Sequence, residues 1–80
     1  MGSDTASKIH DLDVTVWVGK AGIDPVADEL GDQLNDRELV KVRFHRSALG
    51  GTEMEEITAD LAELANAEVV EVRGHTGVYR

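Results

Sequence analysis

Gly19, Lys20, Ala21 and Gly22 are the residues whose types and spacing point most clearly to chemistry. Two glycines let a backbone come close to a ligand without Cβ clashes. The following Asp24-Pro25 reads as a helix start, with Asp24 as N-cap and Pro25 at the first helical position. Free N–H groups at that helix end favour an anion, and Lys20 adds a point charge. The combination suits a phosphate, and in a chain of 80 residues the natural candidate is the phosphate of a nucleic-acid backbone. Other chemistries find little support. The loop lacks the Gly-x-x-x-x-Gly-Lys-Ser/Thr spacing of a nucleotide-binding P-loop. His10 and His45 share no metal-ligand spacing with each other or with a carboxylate, and the chain has no cysteine for zinc or a disulfide. No hydroxyl or carboxylate constellation suggests a nucleophile or a metal-held water. The chain therefore reads as a binding protein and not an enzyme, with no cofactor and no metal expected.

Ahead of the loop, Val14, Val16 and Val18 alternate with Thr15 and Trp17, a strand pattern. Trp17 lies opposite the valines; it fits a half-buried position under an N-terminal helix, or a platform on which a base stacks. Residues 25–36 put Val26, Ala27, Leu30 and Leu34 on one face of an amphipathic helix. Residues 39–44 alternate again, with Val40, Val42 and Phe44 on one side and Lys41 and Arg43 on the other. His45 to Gly51 reads as a loop. Thr52 and Glu55 then have the spacing of a capping box, ahead of a helical stripe of Met54, Ile57, Leu61, Leu64 and Ala65. Residues 68–73 form a third strand with Val70 and Val72 inward, Gly74-His75 a turn, and Thr76 to Arg80 a last strand. A short helix over residues 5–12 is expected to precede the first strand.

The order (α)-β-α-β-α-β-β predicts a two-layer α/β sandwich with a mixed four-stranded sheet: two β-α-β crossovers joining parallel strands, and a final antiparallel return. Residues 9–80 form one domain, and residues 1–8 a flexible N-terminus or the start of the short helix. A domain of this size buries only ~60–65% of its unfolded surface, so its core is small. No apolar run approaches the ~20 residues of a membrane span and no signal-peptide pattern is seen, so a soluble, cytoplasmic protein is expected. A monomer is expected as well.

The formal charge is −8, sixteen acids against eight bases, of which three are lysine. This composition resembles that of proteins from salt-loving organisms, halophilic archaea among them. It opposes the basic surface usual in nucleic-acid binders. Placement resolves the conflict. Parallel strands gather their C-terminal ends on one sheet edge, where open α/β sheets bind ligands. Lys20, Arg46 and Arg73 belong to that edge, and Lys41 and Arg43 to the sheet face leading there. Five of the eight bases thus converge, while eleven of the acids lie in or beside the two longer helices. Lys41 and Arg43 also fit the solvated face of an edge strand, and His75 a plain turn residue.

Together these blocks resemble the CRM domain (chloroplast RNA splicing and ribosome maturation), whose single-domain prokaryotic members are called YhbY-like. The resemblance rests on Val18-Gly19-Lys20-Ala21-Gly22, on Glu38-Leu39-Val40-Lys41-Val42-Arg43, and on Val70-Glu71-Val72-Arg73-Gly74-His75-Thr76 with Val78-Tyr79-Arg80. It spans about His10 to Arg80. It implies the fold of the C-terminal domain of bacterial translation initiation factor three, with a Gly-x-x-Gly loop similar to that of KH domains. It also implies an RNA-binding module, with Gly19, Lys20, Ala21 and Gly22 clamping the RNA backbone. Bacterial relatives are linked to precursors of the large ribosomal subunit. The sequence departs from the family in its acidity and in an N-terminal helix poor in Lys and Arg.

The expected partner is accordingly RNA, ribosomal or pre-ribosomal. Lys20, Lys41, Arg43, Arg46 and Arg73 would follow its phosphates, and His75 or Trp17 would meet unpaired bases. The competing expectation is an adaptor whose acidic helices bind a basic ribosomal or other protein.

Overall fold

The computed structural model describes residues 11–80. The expected helix over residues 5–12 and the N-terminal segment 1–8 fall outside these residues, apart from the helix's last two positions. The described chain runs β1 (Val14–Val18), α1 (Asp24–Asp36), β2 (Val40–Phe44), α2 (Arg46–Leu49), α3 (Met54–Ala65), β3 (Val69–Arg73) and β4 (Thr76–Tyr79). The four strands form one mixed sheet in the order β1-β2-β4-β3. β1 and β2 are parallel, and β4 runs antiparallel to both β2 and β3. β2 and β3 therefore point the same way with β4 inserted between them, because the two-residue Gly74-His75 turn folds β4 straight back along β3. Gly74 supplies the positive φ of 57° at the first turn position that such a hairpin requires.

Helices α1 and α3 pack together over one sheet face. The core there consists of Val16 and Val18 from β1, Val40, Val42 and Phe44 from β2, Tyr79 from β4, Ala27 and Leu30 from α1, and Ile57, Leu61 and Ala62 from α3. Period-two alternation in the strands and the 3.6-residue stripe of α1 deliver these side chains to the same layer. Tyr79 is fully buried, and its hydroxyl donates to the Thr58 carbonyl at 3.0 Å. Thr58, also buried, returns its own hydroxyl proton to the Met54 carbonyl at 2.7 Å. Gly77 leaves room for this cluster: a Cβ there would lie 3.2 Å from Thr58 Cγ2 and 3.3 Å from the Tyr79 ring.

Several local expectations need correction. Asp24 is not the N-cap. Ile23 occupies that position in αR geometry with its carbonyl accepting from Val26 and Ala27, so Asp24 begins the helix and Pro25 follows it. The Thr52–Glu55 capping box does not form either. The chain turns through Thr52, whose N–H donates to the Leu49 carbonyl, and the extended Glu53 becomes the N-cap of α3. The stripe of α3 is rotated from the expected one: Thr58 and Ala62 are buried and Leu64 is 53% exposed. The loop after β2 contains one helical turn, α2, ended by Gly50 at φ 51°.

Two register irregularities explain the remaining differences. Between Val14 and Val16 β1 advances two residues against one on β2, so Val14 leaves the core and pairs with Lys41. Gln33 of α1 reaches this irregular edge, donating to the Thr15 carbonyl at 3.2 Å and accepting from the Thr15 hydroxyl at 2.5 Å. On β3 a similar step between Val69 and Glu71 sets Val69 opposite Tyr79 and against the core. Val70, expected inward, lies at the irregularity.

Candidate nucleic-acid interface

The C-terminal ends of β1, β2 and β3 meet at one pole of the sheet. Two backbone hydrogen bonds tie them: the His45 N–H donates to the Val18 carbonyl at 2.8 Å, and the Phe44 N–H to the His75 carbonyl at 2.7 Å. This clasps together the turn after β1, the start of α2 and the β3–β4 hairpin. Lys20, Arg46, Arg73 and His75 are all exposed at this pole.

The Gly19–Gly22 segment is a closed turn, with the Gly22 N–H donating to the Gly19 carbonyl at 2.9 Å. Its two glycines are there for different reasons. Gly22 has φ 84°, a left-handed conformation that L side chains rarely adopt, so the turn itself needs glycine. Gly19 has no such φ, and a Cβ placed on it would meet nothing within 4 Å. Nothing in the fold demands glycine at residue 19, and its bare backbone leaves the approach to the turn open. Among the described residues, no backbone acceptor takes the N–H of Lys20, Ala21 or Ile23. Lys20 extends into solvent beside them with no carboxylate partner among the described residues.

The expected site residues divide by row on the sheet. Trp17 pairs with Arg43, Arg43 with Thr76, and Thr76 with Arg73. These four side chains form one line across all four strands, on the face away from the helices and next to the pole. Lys41 stands one row further back, half-buried and level with Val78, outside this group. Trp17 is 62% exposed, which decides against the half-buried alternative. The regular alternation through Val16 and Val18 turns it away from the core, and nothing described covers it.

His45 was not among the expected site residues. Its ring caps α2, with Nδ1 accepting from the Ser47 N–H at 3.2 Å, which leaves Nε2 to carry the ring proton. With Trp17, Val18, Gly19 and Arg43 it lines a shallow cavity of about 250 Å³. Its place one residue beyond β2 was the available signal. The described residues contain no cluster of His, Cys, Asp or Glu suited to a metal ion, and no helix long and apolar enough to cross a membrane.

The other end of the sheet is different. There Arg80 is spent on Glu68, Nε to Oε1 at 2.5 Å, next to paired backbone bonds between the same two residues. The acids of α1 and α3 lie on the helical layer, so charge is segregated as the sequence pattern implied.

Residues 3–80 match the family model described as the CRS1 / YhbY (CRM) domain. The chain belongs to the CRM domain family. Over 69 residues this CRM domain is 44% identical to a Methanocaldococcus jannaschii protein named "Probable RNA-binding protein", covering 86% of the present chain. It spans only 52% of that relative's length. The fold is similar to the solution structure of a Staphylococcus aureus protein described as "a putative RNA binding protein", with a TM-score of 0.72 at 29% identity. That match covers 92% of this chain and 76% of the other. The sequence resemblance and the two-layer sandwich with a mixed four-stranded sheet are thus both borne out.

Proposed function

We propose that this CRM domain binds RNA by holding its sugar-phosphate backbone at the Gly19–Gly22 turn. Family membership and the names of its relatives support a general RNA-binding role, and point to binding rather than catalysis. The observation that carries the local assignment is Gly19: a glycine the fold does not require, in a turn with an exposed lysine and with three N–H groups that no backbone acceptor takes among the described residues. Phosphate oxygens would take the N–H groups of Lys20, Ala21 and Ile23, with Lys20 as counter-charge. Arg46, Arg43 and Arg73 continue the track across the pole, with His75 at its rim and Lys41 behind.

Within this reading the RNA is ribosomal RNA or its precursor, met during large-subunit assembly, and the protein acts as a cytoplasmic monomer. The net charge of −8 is compatible with this, because Lys20, Arg43, Arg46 and Arg73, four of the eight bases, lie at or beside the pole. In a salty cell interior counterion release contributes little, and short-range hydrogen bonds from a preformed turn carry more of the affinity.

The test is binding of a ribosomal RNA fragment by the wild type and by Lys20→Ala, Gly19→Ala and Gly22→Asp over a range of salt concentrations. Lys20→Ala should weaken binding and reduce the salt slope by about 1. Gly19→Ala should keep its fold and lose affinity, because its new Cβ meets only ligand. Equal binding by all four proteins overturns the assignment. Loss of partner binding only on neutralising Asp28, Asp32 and Asp36 would indicate instead that the acidic helices serve a basic protein.

A further inference from the structure

Trp17 is the largest apolar side chain left in solvent, and the RNA-backbone reading does not use it. Its neighbours Val16 and Val18 on β1 are fully buried on the opposite face, so the core gains nothing from an indole at this position. Three observations say what it faces. First, the sheet row places Arg43 directly beside it and Arg73 at the far end, so the exposed aromatic sits in a cationic line. Second, the 250 Å³ cavity under the pole joins Trp17 and Arg43 to Gly19 of the turn and to His45. Third, about 7 Å of extended chain separates Trp17 from Gly19, comparable to the reach from a phosphate to its own base.

We propose that Trp17 and Arg43 form a stacking subsite for one unpaired nucleobase of the same RNA strand whose backbone the Gly19–Gly22 turn holds. This rests on the RNA-backbone reading and adds a ligand class to it. An indole offers its π face to any base, so the subsite tolerates sequence. It is closed to a base in a continuous duplex, whose faces are already stacked on its neighbours. Arg43 lies where its guanidinium stacks on the base edge or takes the next phosphate, and His45 offers an Nε2–H at the cavity wall. The CRM domain would thereby select single-stranded loops or bulges over uninterrupted helix.

Trp17 is the single tryptophan of the chain, so its fluorescence reports on this subsite alone. The full chain is titrated with a short single-stranded oligoribonucleotide, with the same strand annealed to its complement, and with a version carrying abasic nucleotides. The single strand should quench Trp17 emission, and the duplex should not. Trp17→Leu, followed by anisotropy of labelled RNA, should weaken single-strand binding roughly 5- to 100-fold, with Trp17→Phe retaining most of the affinity. The abasic strand should bind wild type and Trp17→Leu alike. Because Trp17 is exposed, both variants should keep the wild-type circular dichroism spectrum. Unchanged affinity in Trp17→Leu with weakened binding in Lys20→Ala overturns the stacking subsite and leaves the backbone clamp standing. Weakening in Trp17→Leu with none in Lys20→Ala overturns the clamp, and with it the shared strand. Emission that shifts with protein concentration in the absence of RNA assigns the face to a second copy of the chain and overturns the proposal.

Discussion

The two faces of the sheet are built from the same four strands and answer to different constraints. On the helix-covered face Val16, Val18, Val42, Phe44 and Tyr79 are all fully buried, and each is held by its neighbours. On the other face the row nearest the pole carries Trp17, Arg43, Thr76 and Arg73, with Trp17 and both arginines open to solvent. The pleat alone separates the two sets, since successive residues of a strand point to opposite sides. The contrast shows where substitutions cost stability and where they cost binding. Val78 marks the limit of the division. It belongs to the outer face by register yet is 2% exposed, so only the part of that face near the pole is free.

The largest effect that would test this division is Phe44→Ala. Removing a fully buried aromatic leaves a cavity and should cost about 3–5 kcal/mol. That is a large share of the 5–15 kcal/mol typical of a whole domain, and urea denaturation would read it. A loss below 1 kcal/mol would mean that the inner face is not the stability-determining one. Tyr79→Phe should cost about 1 kcal/mol, since it deletes one buried hydrogen bond to a carbonyl without opening a cavity. The same residue gives a pH dependence. Burial pushes the Tyr79 phenol well above its ordinary value of 10.0, so the folded protein disfavours the phenolate. Its contribution is whole below pH 10 and is lost as the pH rises beyond that, because the unfolded chain releases the proton first. The wild type should therefore lose stability above pH 10 more steeply than Tyr79→Phe, as thermal melts at a series of pH values would show.

Alternation and helical periodicity were enough to read the core of β1 and β2, the buried stripe of α1 and the convergence of Lys20, Arg46 and Arg73. These depend on spacing along one segment. Features set by a second segment were not legible. The slip at Val14 needs Gln33 to take up the Thr15 carbonyl, and the rotation of α3 depends on Thr58 meeting Tyr79. Asp24 has good capping chemistry, yet the turn that closes on Gly22 delivers Ile23 already in helical geometry and moves the cap back one residue. Trp17 was left open between core and platform because alternation shows which face a residue takes, and says nothing about whether that face is covered. His45 was weighed only as a metal ligand, because its part in the cavity exists only once β2 is clasped to β1.

The smallest predicted effect concerns Asp24, which sharpens the comparison at the boundary between the two regions. Its carboxylate sits exposed in the first turn of α1, two residues beyond Gly22. There it complements the helix dipole, an interaction worth about 0.3–1 kcal/mol. It also places a negative charge beside the N–H groups and Lys20 proposed to hold a phosphate. Asp24→Asn should therefore lower stability by less than 1 kcal/mol and raise RNA affinity about 2- to 3-fold at low salt. The gain should fade as salt shortens the screening length to about 3 Å near 1 M. Binding isotherms at two salt concentrations, with a urea melt alongside, separate the effects. If affinity falls instead, the carboxylate works with the turn, by contacting the RNA or by holding the helix start in place. The pole would then not behave as a simple cationic surface, and stability and binding would be coupled through α1.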